Sequence, residues 1–138
     1  MTTIITKYAF AFVLCLITMM LLDAIWLGFV ARDFYGKAIG HLMAEQPNFV
    51  AALIFYLLYI VGIFIFSIYP AAQHHSRKRA AIFGALFGFM GYMTYDLTNL
   101  AIMRDWPISI VFVDVAWGVV ITSIVASVGF QVVKKNPT

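Results

Sequence analysis

The sequence predicts an all-α membrane protein: four transmembrane helices in an antiparallel bundle, with a short interfacial helix in the first external loop. Three observations carry this. Of 138 residues, 64% are hydrophobic and only 11% charged, where a soluble domain has about 25% charged residues. Four apolar runs are each long enough for a bilayer core, which takes about 20 helical residues to cross about 30 Å. Lysines and arginines fall between these runs and not inside them. One domain spanning residues 1–138 is the natural count at this length.

The first run lies between Lys7 and Arg32 and is interrupted only by Asp23. It is too long for a cleaved signal and lacks a small-x-small exit, so it reads as a retained helix. Cys15 is the sole cysteine, so no intramolecular disulfide can form. In this setting it reads as a small buried hydrophobe. Residues 31–48 form the one long connection. There Tyr35, Ile39, Leu42 and Met43 recur at helical spacing, and Lys37, His41 and Glu45 form a second stripe. That pattern suits a short helix lying in the interface, weakened by Gly36 and Gly40.

The second run extends from about Phe49 to Tyr69 without a charge, with Asn48 suited to its start and Pro70 to its end. The third follows Arg77-Lys78-Arg79 and ends near Met103. Gly84, Gly88 and Gly91 on it read as close-packing positions. The fourth starts near Trp106-Pro107, with Asp105 suited to its N-cap, and fades before Lys134-Lys135. Only a few residues join the third and fourth helices, so they are predicted to be antiparallel neighbours. Tyr69 and Trp106 read as interfacial belt residues.

Lys7, Arg77, Lys78, Arg79, Lys134 and Lys135 fall on one side, and Arg32, Lys37 and Arg104 on the other. The excess predicts both termini in the cytoplasm. The net charge of +3 forms no basic face, so nucleic acid is not an expected partner. The lipid bilayer is.

Function is sought among charges inside the spans. Asp23, Asp96 and Asp114 are half of the six acidic residues, in the most costly place for them. Each costs about 2.5–3.5 kcal/mol at a helix centre on insertion scales. Counted from the span ends, all three lie about 10–14 Å below the outer boundary at 1.5 Å per residue. Tyr92, Asp96 and Asn99 line one face of helix three, flanked by Tyr95. Trp26 follows Asp23, and Trp117 follows Asp114, at the same three-residue spacing. No lysine, arginine or histidine lies in the spans to neutralise the carboxylates. The site is therefore expected to take up a proton or attract a cation, with Trp26, Trp117, Tyr92 and Tyr95 as walls. The alternative is structural: interhelical hydrogen bonds holding the bundle, about 0.6 kcal/mol each where measured.

Tyr35 and His41 are candidate accessory residues in the external loop, His41 as a proton shuttle or ligand contact. His74 and His75 read as a solvated loop. With no histidine in any span, no haem or histidine-ligated metal is expected, although a hard cation such as Mg²⁺ would suit the aspartates. No other cofactor is implied.

Several segments resemble one family: Leu22-Asp23-Ala24-Ile25-Trp26-Leu27-Gly28, Phe34-Tyr35 through Gly40-His41-Leu42-Met43, Tyr95-Asp96-Leu97-Thr98-Asn99-Leu100, and Asp114-Val115-Ala116-Trp117-Gly118. It is the bacterial family of small predicted membrane proteins designated domain of unknown function 2177. The resemblance implies an integral membrane protein of bacterial origin, for which the inner membrane is the expected location, and brings no activity with it. In helix number and an acidic first helix, the chain is also similar to small multidrug resistance transporters, which work as dimers. It departs from them in its three aspartates and long first loop.

Three functions follow from the residues. The first is proton- or cation-coupled transport or binding of a small polar or cationic molecule, by a homodimer because one four-helix bundle is thin for alternating access. The second is a membrane-embedded enzyme acting on a lipid or isoprenoid. The third is a structural or accessory subunit.

Overall fold

A computed structural model describes residues 1–134 of the chain. Four long helices and one short one make up the molecule, and the described residues contain no strand. The four long helices, α1 (Thr2–Val30), α3 (Phe49–Gln73), α4 (Arg77–Ile102) and α5 (Ile108–Val133), are each long and apolar enough to cross a membrane. The short α2 (Arg32–Ile39) continues into a tight turn, Gly40–Leu42.

The helix ends follow local chemistry in two cases. The Asn48 side chain accepts the Ala51 N–H at 3.0 Å and starts α3. Ser76 accepts the Arg79 N–H at 3.2 Å and starts α4. Two other ends differ from expectation. Pro70 does not stop α3, which runs on to Gln73. The turn before it, Phe64–Ile68, is widened, and the Tyr69 N–H reaches back to the Phe64 carbonyl. That slack accommodates a ring that would clash with the carbonyl of an ordinary turn. Asp105 does not cap α5 either. It sits in the left-handed region at φ 56°, and Pro107 occupies the N-cap position.

The core lies where α1, α3 and α5 meet. Cys15 and Met19 of α1, Ile60 and Ile63 of α3, and Ile121 and Val125 of α5 are fully buried there. Cys15 is the buried hydrophobe expected, seated over Gly129, where a Cβ would lie 2.7 Å from its Sγ. Along α4 and α5, Gly84 faces Ala126 and Gly88 faces Gly118 and Thr122, so the two backbones approach closely. Outside, large apolar residues such as Phe10, Leu21, Phe66 and Phe112 are exposed.

α3 packs on α4 chiefly through its second part, around Phe64–Ile68. The backbone of its first part, Phe49–Ile63, stands further from α4, and Tyr59 and Phe87 bridge the gap with ring centroids 5.0 Å apart. The short α2 covers the same end of the bundle. Tyr35 is buried there, and Ile39 and Leu42 pack beside Trp106 and Ile110, while Met43 remains exposed. At the opposite end, Lys7 Nζ donates to the Lys134 carbonyl at 2.9 Å, so the two ends of the described chain meet. Lys135, counted in the charge asymmetry, lies outside the described residues.

Candidate functional site

Two helices supply the frame. The indoles of Trp26 on α1 and Trp117 on α5 stack face to face, centroids 4.5 Å apart and planes 4° apart. Each then serves the other helix's aspartate. Trp117 Nε1 donates to Asp23 Oδ1 at 3.0 Å. Trp26 Nε1 donates to the Tyr35 hydroxyl at 3.4 Å, which donates in turn to Asp114 Oδ1 at 2.8 Å. The repeated Asp-x-x-Trp spacing thus produces a crossed arrangement. A tryptophan three residues on lies about 4.5 Å further along its helix.

The second carboxylate oxygen of Asp23 accepts the Tyr56 hydroxyl at 2.8 Å. Tyr56 belongs to α3, as does Tyr59, whose hydroxyl bonds Thr122 Oγ1 at 2.8 Å. Between these groups lies a cavity of about 400 Å³. Asp23, Tyr56, Tyr59, Tyr92, Asp114 and Trp117 form its walls. Its exposed edge is formed by Leu27 on α1, Phe55 on α3 and Tyr95 on α4, which are 49%, 45% and 55% exposed. The Tyr92 ring lies against Gly118, the only kind of residue that leaves room for it.

The aspartates do not form one ring. Asp96 lies near Asp114 and Trp106 but accepts no hydrogen bond from the indole. Asp23 feels the charge of Asp114 but is held separately by Trp117 and Tyr56. Asp96 is wholly buried behind the cavity wall, and neither of its oxygens has a hydrogen-bond partner.

The other sequence candidates fall in different places. Tyr95 lines the cavity and Trp26 stands one layer behind it. Asn99 is half-buried and does not line it. His41 lies at the surface, 3.8 Å from Asp105, away from the cavity. Trp106 is no belt residue: it is 9% exposed, edge-on to Tyr95 at 5.8 Å, with a buried N–H that lacks a partner. Sequence reasoning missed Tyr56 and Tyr59. Their three-residue spacing on an uncharged span was the available signal.

Tyr35 lies outside the four long helices. Burial raises its hydroxyl above the ordinary tyrosine value of 10.0, opposed by the Trp26 N–H and reinforced by the Asp114 charge. It therefore remains a donor through neutral pH. A raised folded value means that this stabilisation is complete below about pH 10 and is lost as pH climbs from there. Tyr35→Phe should lower stability by about 1 kcal/mol near neutrality. The gap to the unsubstituted protein should narrow in strong alkali. Thermal unfolding at neutral and alkaline pH measures both, and a gap that widened with pH would contradict the assignment.

These features define a polytopic helical membrane protein with an acidic and aromatic centre. The chain belongs to the family of predicted membrane proteins designated domain of unknown function 2177, whose model matches residues 8–131. No curated protein and no solved structure matches it.

Proposed function

We propose that the protein binds a small organic cation in the cavity and carries it across the bacterial inner membrane in exchange for protons. Asp23 and Asp114 are the counter-charges, and Tyr56, Tyr92 and Trp117 are the walls against which the cation packs. In this reading the four spans alternate in direction and both termini are cytoplasmic. α2 lies at the outer interface, and two copies act together.

One observation carries the reading. The cavity pairs two carboxylates with aromatic faces, and no lysine, arginine or histidine is among its walls. Aromatic faces attract cations by about 0.5–2 kcal/mol each, most when water is excluded. A mouth edged by the exposed Leu27, Phe55 and Tyr95 suits a ligand that first partitions into lipid. The same mouth supports the enzymatic alternative, with a lipid or isoprenoid as substrate and the carboxylates as acid and base.

The test uses purified protein in lipid nanodiscs and tetraphenylphosphonium as the probe, followed by tryptophan emission. Binding should be saturable and weakened about tenfold by Asp23→Asn or by Asp114→Asn, a loss of about 1.4 kcal/mol for each charge. Equal binding by all three proteins would overturn the proposal. Turnover of added lipid that both substitutions abolish would replace it with the enzymatic reading.

A further inference from the structure

The geometry points to a proton-holding pair at Asp96 and Asp114, set behind the cavity and distinct from the Asp23 site. The inference deepens the transport reading and rests on it for its role in exchange.

The polar atoms can be followed one at a time. The Tyr35 hydroxyl donates to Asp114 Oδ1 at 2.8 Å, which leaves Oδ2 free for another partner. Asp96, beside it, is wholly buried with both oxygens unpartnered. The Trp106 N–H is also buried and unpartnered, and it lies near Asp96. Two carboxylates and one N–H thus meet, with Asp96 and the Trp106 N–H closed to water and Asp114 at the edge of the cavity. An ionised carboxylate left unpaired there would lose its hydration without compensation. Two such neighbours would also repel each other.

The occupant is either a proton or a metal cation, and Trp106 decides between them. An indole N–H is a donor only, with no lone pair to offer a metal. Close to the pair, it suits a site whose net charge stays negative. One proton between Asp96 and Asp114 Oδ2 completes the set. The Trp106 N–H then takes the remaining Asp96 oxygen, and Tyr35 keeps Asp114 Oδ1.

The other ionisable groups facing the pair are Tyr35 from α2, Tyr92 and Tyr95 from α4, and Asp23 from α1. α3 faces Asp23 through Tyr56 and Tyr59. Among the described residues no cation stands with them to replace the proton. Asp114 belongs both to this pair and to the cavity wall. A cation that draws on the Asp114 charge therefore competes with the shared proton. One proton leaves for each cation bound, and the charge of the site is conserved.

Infrared difference spectra of the protein in nanodiscs test the pair directly. The wild type at neutral pH should show the carbonyl stretch of a protonated carboxylic acid, shifted by deuterium oxide. Asp96→Asn should remove it, because its amide can donate to Asp114 and leave that carboxylate ionised. Asp23→Asn should retain it, and circular dichroism should report unchanged helix in both variants. Absence of the band in the wild type, or its survival in folded Asp96→Asn, would overturn the inference. If the band behaves as expected and tetraphenylphosphonium fails to bind, the proton pair stands and the cation-exchange reading falls.

Discussion

Gly88→Ala should destabilise the protein by about 2 kcal/mol, and Gly88→Val by more, as overpacked cores generally are. A Cβ added at Gly88 would run into the carbonyl oxygen of Gly118 and lie 2.6 Å from Thr122 Oγ1. The first obstacle is backbone of the facing helix, so no side-chain rotation relieves it. α4 and α5 must separate, and that separation loosens every contact along the tightest helix pair in the bundle. It also disturbs Thr122, whose hydroxyl is bonded to Tyr59 on the cavity wall. The expected readout is a lower midpoint in thermal or detergent-induced unfolding. Gly36→Ala is the control, because nothing lies within 4 Å of an added Cβ there. A Gly88→Ala protein as stable as this control would show that the helices are not held at this spacing.

Gly91→Leu, three residues further along α4, should have the opposite profile. A Cβ at Gly91 meets only the Tyr59 ring, at 3.4 Å, which is ordinary contact. The rest of a leucine side chain then grows into the cavity of about 400 Å³. Tetraphenylphosphonium affinity should fall more than tenfold, while the unfolding midpoint stays close to wild type. Leucine is also a better helix former than glycine by up to about 1 kcal/mol. Undiminished binding in a folded Gly91→Leu protein would place the ligand elsewhere. A collapse of stability comparable to that of Gly88→Val would mean that the cavity is closed in the folded protein.

This pair of glycines marks the limit of sequence reading for this chain. All of Gly84, Gly88 and Gly91 share the small-residue pattern, yet Gly91 borders an opening and the other two seal a contact. Spacing fixes the face of a helix but not the distance to its neighbour. The four spans were legible because burial in lipid demands long apolar runs, and charge and cap chemistry bound them. The end of α3 was not, because the widened turn that admits Pro70 arises from backbone slack with no residue signature. At the site, Asp23, Asp96 and Asp114 announced themselves by cost. Their division into a pair and a separate carboxylate did not, since counting residues from a span end gives depth but not which helix faces which. Tyr56 and Tyr59 gave only a weak signal, their spacing, for a related reason. A tyrosine in a span is cheap, and only a partner on another helix makes its hydroxyl informative.

The stacked indoles of Trp26 and Trp117 have a practical consequence. With ring centroids 4.5 Å apart, they fasten the two helices that bear the outlying carboxylate and its counterpart. Near-ultraviolet dichroism of such a couple depends steeply on how the rings overlap. Sliding of α1 past α5 during a working cycle would therefore write itself into the intrinsic spectrum, and the molecule carries its own strain gauge without any attached dye.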